Sequence, residues 1–274
     1  MTALVYGGRS PIALALCEQL ADSGQEVHLV TRKRDEAIVK LASEHKCKHV
    51  HQCNLEDAEK SVALALEVDD KAGGLNAVAF VHRYRSQTSN PLKQYEVEVY
   101  TPYEIIEALT SRNRSKQLAI VIFTSPASHH VVGDQDFQYH ASKAALSQLV
   151  RFGSVHFPAN NLRINGVSPG LFIFKQRAAE FYAKNPDVIA RANKIIPLSR
   201  MGTVTEIANV ASFLLSDKSS YLNGQILEID GGSMNIEICS TGWWNQLRTR
   251  RTKSQFSNNT VFIETRWLKE GNLV

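Results

Sequence analysis

Tyr139 and Lys143 stand four residues apart in the run Tyr139-His140-Ala141-Ser142-Lys143-Ala144-Ala145. On a helix that spacing puts a phenol and an ammonium on one face, one turn apart. The chemistry it allows is proton transfer. A phenol ordinarily ionises near pH ~10 and is a poor acid at neutral pH, but a neighbouring cation favours its ionised form. The chain has eight tyrosines, so chance could also place such a pair on a solvated helix face, and the surroundings must decide.

Two further segments bear on chemistry. In Gly7-Gly8-Arg9-Ser10-Pro11-Ile12-Ala13 the glycines permit a tight turn, and a helix opening at Pro11 offers free N–H groups to a pyrophosphate. An ordinary glycine turn before a helix is the plainer reading. Val30-Thr31-Arg32-Lys33-Arg34 ends an apolar run in cations, with no carboxylate placed for a ribose 2′-hydroxyl. Those cations suit a 2′-phosphate, so the segment predicts NADPH, with Arg32 as main contact and Arg9 as second. A solvated basic turn is the alternative. His82, His129, His130 and His140 have no carboxylate or cysteine at ligand spacing, and no metal is expected at them.

The elements that must hold these groups are legible in the hydrophobic pattern. Apolar, β-branched runs at 3–6, 26–31, 48–52, 76–82, 118–124, 162–167 and 225–229 alternate with amphipathic helical segments. Ala77-Val78-Ala79-Phe80-Val81 and Leu118-Ala119-Ile120-Val121-Ile122-Phe123 are apolar at consecutive positions, as strands covered on both faces require. The expected fold is α/β: a Rossmann-like, doubly wound parallel sheet of about seven strands with helices on both faces. Ligands then belong at the strand C-terminal ends.

Composition narrows the classes. The chain has 274 residues, 43% hydrophobic and 21% charged, ordinary for one globular domain. Its net charge of +4 resides in residues 240–274, leaving a neutral body that argues against nucleic-acid binding. All three tryptophans lie in the same tail, and a boundary is expected that separates a domain at 1–238 from a C-terminal extension at 239–274. With no apolar run of membrane length, no membrane partner and a cytoplasmic location are expected. Cys17, Cys47, Cys53 and Cys239 show no CxxC spacing and are expected to pack as small apolar groups.

Glycine turn, basic strand end and Tyr/Lys pair, in this order, resemble the short-chain dehydrogenase/reductase family, near its 3-oxoacyl carrier-protein reductase branch. Arg163-Ile164-Asn165-Gly166-Val167-Ser168-Pro169-Gly170, Pro197-Leu198-Ser199-Arg200-Met201-Gly202 with Glu206-Ile207-Ala208, and Ser220-Tyr221-Leu222-Asn223-Gly224-Gln225 with Asp230-Gly231-Gly232 carry the likeness across residues 3–234. It implies a ketone reductase, or reversible alcohol dehydrogenase, in which Tyr139 is the general acid. Lys143 would hold the nicotinamide ribose, and Ser125 would hydrogen-bond the substrate carbonyl. Ser125 stands fourteen residues before Tyr139, one more than is usual, so Ser128 is the alternative.

The resemblance also implies that NADP(H) lies along Gly7, Arg9, Ser10, Pro11 and Ile12, then Thr31 and Arg32, Asn54 and Leu55, and Val81. It continues past Tyr139 and Lys143 to Pro169, Gly170 and Phe172. Departures are several: Pro11 and Ala13 replace glycines, Asn54 an aspartate, and Phe80-Val81-His82-Arg83 an Asn-Asn-Ala-Gly segment. Glu98 falls where a relay asparagine sits, and could hold a water for Lys143 or face solvent. The turn at Pro11-Ile12-Ala13 also resembles enoyl reductases, but those space tyrosine and lysine wider, and position 136 is aspartate.

Substrate choice is expected to reside in 171–196, where Phe172, Phe174, Phe181 and Tyr182 mix with Lys175, Arg177, Lys184 and Lys194. An acyl-carrier thioester or an anionic sugar would suit it, as would a plain amphipathic lid. Family helices at 95–111 and 137–158 pair between subunits, so a homotetramer or homodimer is expected, with Leu146, Leu149, Val150, Phe152 and Val155 as apolar surface. The rival expectation is an NADP(H)-binding sensor or scaffold without turnover, motivated by Glu98 and by residues 80–83.

Overall fold

Alternating side chains on successive strands settle where each helix must lie. In the computed structural model, β1 (Thr2–Tyr6) sends Ala3 and Val5 to one face and Leu4 and Tyr6 to the other, and all four are fully buried. The described residues are 1–84, 90–112, 115–133, 135–157, 161–170, 172–173 and 183–236, without the side chains of 172, 173 and 191. Met1–Met234 form one compact unit. The whole predicted extension, Cys239 included, and much of the 171–196 segment lie outside the described residues.

The strands are β1, β2 (Glu26–Thr31), β3 (His49–Gln52), β4 (Ala77–Phe80), β5 (Leu118–Phe123), β6 (Leu162–Pro169), β7 (Phe172–Ile173), β8 (Gly202–Thr203) and β9 (Ile226–Ile229). Seven make a parallel sheet in the order β3-β2-β1-β4-β5-β6-β9, the expected doubly wound arrangement. β7 and β8 pair separately. The order reverses between β1 and β4, which opens a crevice at their C-terminal ends.

The helices are α1 (Pro11–Asp22), α2 (Glu36–Glu44), α3 (Ala58–Lys71), α4 (Pro91–Tyr95), α5 (Thr101–Thr110), α6 (Phe137–His156), α7 (Pro186–Ile195) and α8 (Val204–Leu215). On one sheet face Ala3, Val5, Leu29, Ala79 and Val121 pack with Leu16 and Leu20 of α1, Ile38 of α2 and Ile207 and Leu214 of α8. On the other, Leu4, Tyr6, Val78, Ile120 and Ile164 pack with Val68 of α3, Ile105 and Leu109 of α5 and Leu146 and Val150 of α6. Each large side chain so buried contributes about 1.5–3 kcal/mol. Among the described residues no helix is long and apolar enough to cross a membrane.

Two sequence expectations shift. Leu146, Leu149 and Val150 belong to the core, which leaves only Phe152 (41% exposed) and Val155 (88%) of those five as apolar surface. The helix from α4 to α5 is continuous but contains a π-helical turn, Glu96–Tyr100, which carries Glu98. Turns of that kind recur at functional sites.

Candidate active site

Gly7 and Gly8 donate their N–H groups to the Val30 carbonyl at 3.3 and 3.0 Å, folding the first turn onto the end of β2. Gly8 has φ +45, and a Cβ there would come 2.8 Å from Thr31 Oγ1; only glycine fits comfortably. Ser10 precedes α1 without a side-chain cap, and Pro11 supplies no N–H. The N–H groups of Ile12 and Ala13 therefore remain for an anion, a first turn that fits a pyrophosphate. Val81, buried just past β4, donates to the Tyr6 carbonyl at 2.7 Å and flanks the turn.

Thr31 is buried, and its hydroxyl donates to the Lys33 carbonyl at 3.2 Å; Arg32 is exposed. Arg9 Nη2 lies 2.5 Å from both carboxylate oxygens of Asp35, which also caps α2 by accepting from the Ile38 N–H at 3.0 Å. The Ile38 N–H, and then Arg9, hold the Asp35 carboxyl below the usual carboxylate range. Sequence reasoning missed this carboxylate: of the two cations assigned to a 2′-phosphate, Arg9 is already engaged. An open depression of about 540 Å³ lined by Arg34, Asp35, Glu36, Val39 and Lys40 adjoins it.

Farther along the rim, Asn54 is exposed, its Oδ1 accepting from the Glu56 N–H at 3.3 Å, and Leu55 O accepts from Thr101 Oγ1 at 2.9 Å. Pro169 ends β6, and Gly170 donates to Ile229 O at 2.9 Å; a Cβ on Gly170 would lie 2.6 Å from Asp230 Cβ. The Phe172 side chain lies outside the described residues.

Asp136 caps α6 by accepting from the Tyr139 N–H at 2.8 Å, which sets the register of the helix. His140 is a structural ring: Nδ1 donates to Asp136 O at 2.7 Å, and Nε2 accepts from the Val132 N–H at 2.9 Å. The first turn thus presents a half-buried Tyr139 with Lys143 below it. Lys143 is 3% exposed, and its ammonium lies 5.6 Å from the Tyr139 ring centroid and donates to Phe123 O at 3.4 Å. It also lies 3.0 Å from Glu98 Oε2, close enough for an ion pair though off the line of a hydrogen bond.

Glu98 faces inward, so the solvent-facing option falls away. It is 1% exposed, and its other oxygen accepts from the Tyr84 N–H at 2.9 Å. Ser125, two residues past the end of β5, is buried, and its Oγ accepts from the Ala127 N–H at 3.2 Å. Ser128 shares a 2.9 Å hydrogen bond with His129 Nδ1, and His129 Nε2 lies 2.8 Å from Glu228. Of the two serines, Ser125 is the one on the strand end that Lys143 touches.

Two residues of the altered β4 end complete the constellation. The Arg83 guanidinium lies 4.1 Å from the Tyr139 ring centroid and donates to Gln135 Oε1 at 2.6 Å. His82 donates through Nε2 to Val97 O at 2.9 Å, and its buried Nδ1 has no partner among the described residues. Burial pushes the His82 pKa down to about 4. The unfolded chain takes up that proton near pH ~6.5, so stability is lost as pH falls from there toward 4, by up to about 3 kcal/mol. Thermal melts should show the wild type losing more Tm than His82→Gln between pH 7.5 and 4.5.

The family described as Enoyl-(Acyl carrier protein) reductase matches over residues 7–234. A tropinone reductase homologue, chloroplastic, of Arabidopsis thaliana is 26% identical over 244 residues, covering 85% of this chain and 75% of its own. The 3-oxoacyl-acyl-carrier-protein reductase of Staphylococcus aureus is 25% identical over 247 residues, covering 84% and 97%. Among solved structures, the RhlG/NADP active-site complex of Pseudomonas aeruginosa superposes with TM-score 0.73 at 23% identity, covering 85% of this chain and 95% of that one. A single-substitution variant of actinorhodin polyketide ketoreductase with NADPH gives 0.74 at 18%, covering 86% and 97%. A glycine turn on β1, a Tyr/Lys pair on α6 and a family match over most of the length agree: this chain belongs to the short-chain dehydrogenase/reductase family of oxidoreductases.

Proposed function

We propose that the protein is an NADPH-dependent reductase of a ketone or 3-oxoacyl substrate, running in reverse as an alcohol dehydrogenase. The observation that carries this is the grouping of Tyr139, Lys143 and the β5 end bearing Ser125. Two relatives named as, or homologous to, ketone-reducing enzymes support the reaction class. The four-residue Tyr/Lys spacing favours ketone over enoyl reduction, since Asp136, seven before Lys143, is spent on capping the helix.

NADPH supplies the hydride when bound. The remaining work falls to the protein. The Tyr139 hydroxyl gives its proton to the carbonyl oxygen as negative charge develops there, and the Ser125 hydroxyl turns to donate a hydrogen bond to the same oxygen. Lys143 orients the ribose side of the site, and Glu98 fixes the Lys143 ammonium and offers a carboxylate through which protons reach it. Gly7, Ser10, Ile12 and Gly170 line the cofactor's course, and Arg32 takes the 2′-phosphate.

Steady-state assays over ketone, 3-oxoacyl thioester and keto-sugar substrates should show kcat/KM higher with NADPH than with NADH. Arg32→Ala should raise KM for NADPH by about 10–100-fold, the loss of one charge-assisted phosphate contact. A preference for NADH would overturn the assignment.

A second reading keeps the fold and the cofactor but not the turnover. Arg83 stacked on Tyr139, and Glu98 neutralising Lys143, favour it. NADPH binding with no reduction across the same panel is its signature.

The protein is further proposed to be a homodimer or homotetramer built on α6. Phe152 and Val155 supply the exposed apolar surface for it. Native mass spectrometry is expected to show the oligomer; monomer alone would refute it.

A further inference from the structure

A second polar cluster lies away from the crevice, on the two strands at the open side of the sheet. In the parallel register His28 of β2 is paired with His49 of β3, and Val30 with His51. Glu26 stands two residues before His28, and His51 two after His49, so all four polar side chains share one face. That is a His-X-His strand beside a Glu-X-His strand.

The distances converge on a point. One ligand atom each from Glu26, His28 and His49 lies within 4.8 Å of the other two. His49 Nε2 is 2.8 Å from Glu26 Oε1, and His28 Nε2 is 4.0 Å from the same oxygen. The second separation is too long for a hydrogen bond. Tetrahedral zinc, with bonds of about 2.0–2.1 Å, holds its ligand atoms roughly 3.4 Å apart, so small movements close the set. His28 Nδ1 is bonded to His51 Nε2 at 2.9 Å, the kind of outer contact that orients a ligating imidazole. The His28 and His49 rings stack at 4.3 Å, so sharing an ion requires the 41%-exposed His49 to turn on its side-chain bonds. Glu26, 53% exposed, can follow. On α3, Lys71 is paired with Glu67, which offsets its charge.

We propose that Glu26, His28 and His49 bind one Zn²⁺, with His51 orienting His28 and water as fourth ligand. Imidazole with carboxylate suits this metal. The site is structural: it fastens the four-residue edge strand β3 to β2, with the glycine turn packed beyond the far end of β2.

The test is titration of chelator-stripped, full-length protein with ZnCl2 alone, by calorimetry and by metal analysis after gel filtration. One zinc per chain is expected. At hundredfold excess over Kd the metal should raise Tm by about 5 °C or more. His49→Ala and Glu26→Gln, at a half-buried and an exposed position, should each weaken binding at least about tenfold. His129→Ala should leave it unchanged, separating this site from the His129/His130 pair. No zinc uptake, equal affinity in wild type and His49→Ala, or loss of binding in His129→Ala would each overturn the proposal.

Discussion

Tyr139→Phe is expected to lower kcat for ketone reduction by about 10²–10⁴-fold, while Tm and the Kd for NADPH stay near wild type. The substitution is unusually clean because the ring keeps its place. Arg83 at 4.1 Å and Lys143 at 5.6 Å both lie against the ring rather than the hydroxyl, and Asp136 sets the helix register through the backbone. What is removed is the transferable proton. Stopped-flow NADPH oxidation measures it directly, and equal rates in wild type and variant would sink the reductase reading.

The second large effect is on stability. Glu98 and Lys143 are both buried, and their ion pair is 3.0 Å long. Removing one partner strands the other without water or counter-charge. Glu98→Ala should therefore cost about 3–5 kcal/mol, and Lys143→Ala a similar amount, seen as a fall in denaturation midpoint. Glu98→Gln keeps an acceptor for the Tyr84 N–H yet still strands the ammonium, so it should recover only part of the loss. The double variant Glu98→Gln/Lys143→Met removes both charges together and should be far more stable than the sum of the single effects. Strict additivity would mean that the two charges are not coupled.

Such a pair also bears on why part of the site was legible and part was not. The central strands could be read because both faces of the sheet are covered there, which makes runs such as Leu118–Phe123 apolar at every position. Strands β7 and β8, two residues each, are too short to show a period. Tyr139 and Lys143 could be read because helical spacing is local. The direction of Glu98 could not, since it depends on a π turn that its neighbours do not announce. Arg83 on Tyr139 joins residues 56 positions apart, and the Arg9–Asp35 pair joins a glycine turn to a helix cap. The apolar face of α6 misled because Leu146, Leu149 and Val150 satisfy the core first. The histidines at 28, 49 and 51 meet only through strand register; the Glu-X-His spacing of β2 and the His-X-His spacing of β3 are local, but their pairing is not.

The π-helical turn at Glu96–Tyr100 amounts to a one-residue slip in the winding of a 20-residue helix. Each α-helical residue advances about 100° around the axis, so the slip rotates everything after it by that much relative to everything before. Val97, Glu98 and Val99 are buried within the slipped turn itself, and Ile105, Ile106 and Leu109 are buried beyond it. An uninterrupted α-helix would have to choose between seating a carboxylate on Lys143 and seating the apolar stripe on the sheet. The slip lets one helix keep two separate alignments, one turned to Lys143 and the other to the sheet.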